Sequence, residues 1–102
     1  TIISGGTNIY PQEIDDVLLA HESVAEVCCI GVPNEEWGEE VKAVINLEPG
    51  ADEETVRKEL TKLAEEKLSG FKKPKTYDFW TEELPRLPTG KIQRNLVKKR
   101  FW

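Results

Sequence analysis

The sequence is poor in groups that bind metals or staple small folds. Histidine occurs once, at His21, and cysteine twice, at the adjacent positions Cys28 and Cys29. A lone histidine has no second imidazole to help it hold a metal, so no metal site is expected. Neighbours in a strand point to opposite faces, which argues against a bridge between the two thiols. Both are expected to be buried, reduced and structural, as suits the cytoplasm. No apolar run approaches the roughly 20 residues of a membrane span, and no secretory signal is visible.

What is present fits one small soluble domain. The chain has 102 residues, 38% hydrophobic and 32% charged, which allows a modest core without a metal or disulfide. It starts at Thr1 rather than Met, so a piece of a longer protein is expected. The net charge of −5 hides an asymmetry. Residues 1–71 hold 16 acidic and 5 basic groups, whereas residues 72–102 hold 3 acidic and 9 basic. The basic end either attracts an anion or is a solvated face.

Local pattern predicts an α+β fold: a small three-stranded, mainly antiparallel sheet with about three packed helices. Pro11 opens a helix that carries Ile14, Val17, Leu18 and His21 at helical spacing, with Glu13, Asp15 and Asp16 early, as the helix dipole prefers. His21, near its end, suits a capping or surface role. Val24 to Val32 is strand-like and Pro33 is expected to stop it. Val41, Ala43, Ile45 and Leu47 alternate as a second strand. Asp52 is a candidate N-cap for a helix with Val56, Leu60, Leu63, Ala64 and Leu68 on one face, closed by Gly70. Lys75 to Trp80 alternates as a third strand, and Ile92, Leu96, Val97 and Phe101 suggest a short last helix.

Three loops depart from what packing requires. Ser4-Gly5-Gly6-Thr7-Asn8-Ile9-Tyr10-Pro11 is either a plain turn or a close backbone approach to a ligand. In Gly31-Val32-Pro33 through Trp37-Gly38-Glu39, an indole sits among polar residues, where it packs on its own core or stacks on a flat ring. Leu84-Pro85-Arg86-Leu87-Pro88-Thr89-Gly90-Lys91-Ile92-Gln93-Arg94 is stiffened by prolines. It presents Lys91 as a surface lysine or as a point charge for phosphate or carboxylate. It is not a Walker-type phosphate loop, since Pro85 and Ile92 stand where that motif needs glycine and Ser or Thr.

The order and spacing of these strings, together with Asn8-Ile9-Tyr10-Pro11-x-Glu13-Ile14 and Lys72-x-Pro74-Lys75, resemble the C-terminal domain of the adenylate-forming (AMP-binding) superfamily. The likeness runs over nearly the whole chain and is nearest to acyl-CoA ligases. It implies that residues 1–102 are a mobile lid, with a large N-terminal domain outside this sequence that binds ATP, magnesium and the acid. The expected chemistry is carboxylate plus ATP to acyl-AMP and pyrophosphate, then coenzyme A to acyl-CoA and AMP. By resemblance, Lys91 is the adenylation lysine, Gly5 and Gly6 line the thiol tunnel, and Trp37, Phe71, Lys73 and Lys75 lie near the CoA nucleotide. The isolated domain is expected to be inactive.

Two other readings share part of this pattern. A carrier-protein-loading adenylation domain shares the motifs, although peptide-synthetase domains tend to carry a different, arginine-containing first loop. A nucleic-acid module using the basic end conflicts with the acidic remainder and the lack of an aromatic RNA-binding pattern. The expected partners are therefore the large domain, CoA and acyl-adenylate, with no nucleic acid.

Overall fold

A computed structural model describes all 102 residues. Five strands and three helices follow in the order β1 (Ile2–Ser4), β2 (Thr7–Ile9), α1 (Pro11–Leu19), β3 (Val24–Asn34), β4 (Gly38–Leu47), α2 (Glu53–Lys67), β5 (Thr76–Trp80) and α3 (Arg94–Lys99). The fold is α+β, as expected. The three expected strands are β3, β4 and β5, and the two three-residue strands β1 and β2 extend their sheet. Its order is β2-β1-β4-β3, with β5 also on β4. Because β3 runs the length of one edge of β4, β1 and β5 share the other. All pairs are antiparallel except β4–β5.

Both faces of the central ribbon are covered, which explains why β3 reads as an almost unbroken apolar run. On one face Val27 and Cys29 join Val41, Ala43 and Ile45 beneath Ile14 and Leu18 of α1 and Val56, Leu60 and Ala64 of α2. On the other, Cys28, Ile30 and Val44 are covered by Leu84 and Val97, flanked by Ile92 and Phe101. The adjacent thiols thus face opposite ways, both buried and both free. Fully burying a side chain such as Leu84 contributes roughly 2 kcal/mol, and here it fastens the C-terminal segment to the sheet.

Helix α2 starts as its sequence predicts, with the Asp52 carboxylate accepting the Thr55 N–H at 3.0 Å. It ends at Lys67, and Gly70 instead opens a short 3-10 turn through Lys72. His21 lies just beyond α1, where Nδ1 accepts the Ser23 N–H and Nε2 meets Glu59 at 2.8 Å.

Strand β3 passes through Pro33 instead of stopping before it. The cause is parity. The N–H and C=O of Cys29 and the C=O of Gly31 point away from β4, toward side chains of Asp15, Arg94 and Trp102. Pro33 shares that parity, so its missing N–H faces outward and costs no ladder bond.

Candidate functional site

Two separate groups of predicted site residues emerge. The first lies at the turn end of the β3–β4 ribbon. Gly5 and Gly6 form the two-residue link of the β1–β2 hairpin, with φ of +57° and +79°. Two successive positive φ values make a type I′ turn, which glycine enters without strain. Next to it, the Asn34 side chain accepts the N–H groups of Glu36 and Trp37 at 2.9 and 2.7 Å, folding the β3–β4 turn. The Gly5 N–H donates to the Trp37 carbonyl at 3.0 Å, locking the two turns together. The Phe71 ring reaches in from the 3-10 turn and meets Trp37 edge-on, with centroids 5.0 Å apart.

The two glycines do different jobs. A Cβ on Gly5 would stand 2.7 Å from the Phe71 ring, so this position is glycine for the domain's own packing. A Cβ on Gly6 would meet nothing within 4 Å, so no neighbour within the domain requires glycine there and its exposed backbone faces open space. Trp37 keeps 38% of its surface exposed. Lys73 pairs with Glu65 at 3.4 Å, while the exposed Lys75 makes no ion pair. Gly5, Gly6, Trp37 and Phe71 are therefore one patch, and Lys73 and Lys75 follow in the segment that leaves it.

The second group surrounds Lys91. Its loop is a small hairpin: Arg86 pairs with Ile92, Leu87 N–H donates to the Lys91 carbonyl at 2.7 Å, and Gly90 N–H donates to the Leu87 carbonyl at 2.8 Å. Pro88 at the second turn position and Gly90, with φ +93°, are what this turn demands. Lys91 is exposed, has no ion pair, and lines a cleft of about 500 Å³ with Gln12, Asp15, Leu19 and Glu26. Its ammonium is thus on the surface and free to reach outward.

Two arginine–carboxylate pairs flank this hairpin, and sequence reading assigned neither. Glu26, buried in β3, accepts the Leu84 N–H at 3.0 Å through Oε1. Its Oε2 takes Arg86 Nε at 2.8 Å and Nη2 at 2.6 Å. Asp15, expected simply to favour the α1 dipole, is buried; it accepts Cys29 N–H at 2.7 Å and Arg94 Nη2 at 2.8 Å. Arg94 also donates to the Cys29 carbonyl at 2.6 Å. A signal existed in each case. Glu26 is the one charge in the apolar run Val24–Val32, and Asp15 sits beside Ile14 on the inward face of α1. A charge so placed needs a partner.

These pairs also account for much of the basic end. Lys72, Lys73, Arg86, Arg94, Lys98 and Arg100 all meet carboxylates, leaving Lys75, Lys91 and Lys99 as the unpaired cations of residues 72–102. Burial pushes the Cys28 thiol up to about 11, against the pull of nearby Arg94, and raises Cys29 well above the ordinary thiol range. Neither is a ready nucleophile.

Residues 13–91 match the family model for the AMP-binding enzyme C-terminal domain. The chain belongs to that family. It is 40% identical over 101 residues to a fatty acid–[acyl-carrier-protein] ligase of Streptomyces coeruleorubidus, covering 99% of this chain and 19% of that protein. It is 44% identical over 93 residues to a long-chain-fatty-acid–CoA ligase of Bacillus subtilis, covering 91% and 16%. The crystal structure of a Brucella canis acyl-CoA synthetase superposes with a TM-score of 0.88 at 38% identity, over 97% of this chain and 18% of that one. The chain thus spans about a fifth of the length of these relatives. This AMP-binding C-terminal domain has no helix long and apolar enough to cross a membrane.

Proposed function

We propose that this chain is the mobile C-terminal domain of an ATP-dependent acyl-CoA ligase. In this reading a large N-terminal domain of the same polypeptide binds ATP, magnesium and the acid. Lys91 enters that site for the first step, in which the carboxylate attacks the α-phosphate and pyrophosphate leaves. Its ammonium offsets charge on the carboxylate and phosphoryl oxygens as the acyl-AMP forms. In the second step the glycine turn takes its place, and the CoA thiolate attacks the acyl carbon and expels AMP.

The observation that carries this reading is the separation of the two groups. From Glu26, beside the Lys91 hairpin, to Asn34, at the Trp37 turn, β3 runs eight residues, roughly 26 Å at strand rise. One reacting centre cannot touch both ends at once, so a shared active site must use them in turn, by reorientation of the domain. The chemistry of each end fits its step: a stiff loop with a free ammonium for anionic oxygens, and an open glycine turn for a narrow thiol arm. The half-exposed Trp37 and Phe71 offer an aromatic surface for the CoA adenine, and Lys75 a free cation for its phosphates.

The test separates the half-reactions in the full-length ligase. Lys91→Ala is expected to slow acyl-adenylate formation by about 10²-fold or more, the scale for one lost transition-state contact. Thioester formation from supplied acyl-AMP should remain intact. Equal loss in both steps contradicts the assignment. A second reading replaces CoA by a carrier-protein phosphopantetheine, and the Streptomyces relative named as an acyl-carrier-protein ligase favours it. Thiol-acceptor assays with free CoA and with loaded carrier protein decide between the two.

A further inference from the structure

We infer that Arg86, held by the buried carboxylate of Glu26, is the positioning residue that aims Lys91. The inference rests on the adenylation role proposed for Lys91 and adds the device that sets its direction. All three nitrogens of the Arg86 guanidinium are engaged. Nε and Nη2 grip Glu26 at 2.8 and 2.6 Å, while Nη1 donates to the carbonyl of Gly90 at 2.5 Å. The peptide that accepts this bond links Gly90 to Lys91, so the guanidinium holds the backbone unit from which the lysine projects.

The brace is anchored at its far end. Glu26 belongs to β3, whose side chains on both faces are core, and it is 7% exposed. Its second oxygen fixes the Leu84 N–H where the loop begins, and the Gln93 side-chain amide donates to the Arg86 carbonyl at 3.2 Å on the opposite strand of the hairpin. One carboxylate therefore sets the start of the loop and, through Arg86, its tip. Arg86 neutralises the buried Glu26 while its own side chain stays 44% exposed, so the same guanidinium that satisfies the core carboxylate extends outward to the loop tip. A planar fork is required, because a lysine at this position could reach the carboxylate or the Gly90 carbonyl but not hold both in fixed relation.

The decisive variant is Arg86→Lys in the full-length ligase, which keeps the charge and removes the fork. Acyl-adenylate formation is expected to fall about 10- to 100-fold in kcat, the scale of a slightly misaimed group, with KM for the acid little changed. Thioester formation from supplied acyl-AMP should stay within about twofold of the parent, as the glycine-turn end is untouched. Independently of activity, hydrogen exchange in the 84–93 peptide should quicken while exchange in the 41–47 strand does not. Should Arg86→Lys fail to accumulate as folded protein, Glu26→Gln carries the same test with the same readouts. Unchanged adenylation, equal slowing of both half-reactions, or unchanged exchange in 84–93 each overturns the inference. Lys91→Ala in parallel separates the two levels. If Lys91→Ala loses adenylation and Arg86→Lys does not, the positioning role alone falls. If Lys91→Ala retains full adenylation, the reading beneath it falls as well.

Discussion

Gly5 and Gly6 are adjacent, both have positive φ, and they provide an internally controlled experiment. Alanine at either site incurs the left-handed penalty of about 1–2 kcal/mol, so the difference between the two variants isolates the neighbours. At Gly6 the new methyl meets open space, whereas at Gly5 it lands 2.7 and 2.8 Å from two atoms of the Phe71 ring. The ring must swing away, giving up its edge contact with Trp37 and part of its packing on the core. An aromatic pair contributes about 0.5–1.5 kcal/mol beyond its burial, so Gly5→Ala should be about 1–2 kcal/mol worse than Gly6→Ala. For a domain of this size that is a Tm gap of roughly 4–16 °C, read by circular dichroism on thermal unfolding. In a Phe71→Ala background the gap should close. Equal melting of the two single variants, or a gap that survives loss of the ring, refutes the contact.

Further outcomes follow from the same geometry. Asp15→Ala strands Arg94 and the Cys29 N–H, and should cost about 3–5 kcal/mol, seen as a lower urea midpoint; Asp15→Asn should lose less. Both thiols should resist Ellman's reagent in the folded chain and react at once in denaturant. An unfolded Cys28 loses its proton near pH 9.0, whereas the folded one keeps it to about 11. Stability should therefore fall as pH rises through that window, and the Cys28→Ala variant should show a shallower decline. Gly6→Trp in the full-length ligase should impair thioester formation and spare adenylation, and normal turnover with CoA would count against the glycine turn as the thiol's route.

Much of the fold is legible because long elements carry their own periodicity. The Asp52 cap and the spacing of Val56, Leu60 and Ala64 announce α2, and alternation from Val41 to Leu47 announces β4. Strands β1 and β2 are only three residues each, too short for a period to register, and the Gly5-Gly6 pair between them reads equally as a plain break. The parallel docking of β5 depends on where α2 delivers the chain, which no local window contains. The three loops stand out because the sequence pattern gives their prolines, glycines and indole no packing role. What stayed hidden was how they are braced. Arg86 and Arg94 lie 60 and 79 residues from Glu26 and Asp15, and a charge pair so distant in the chain leaves no mark on either neighbourhood.

The outer margin of β3 has a consequence for how this module can meet a neighbour. With both backbone groups of Cys29 and the C=O of Gly31 engaged by Asp15, Arg94 and Trp102, and no N–H at Pro33, an incoming strand finds the middle of this edge largely occupied. Adhesion along this flank falls mainly to side chains, whose grip is shallower and easier to undo than strand-to-strand annealing. For the proposed reorientation, a border that resists strand annealing would let one pose be given up for the next.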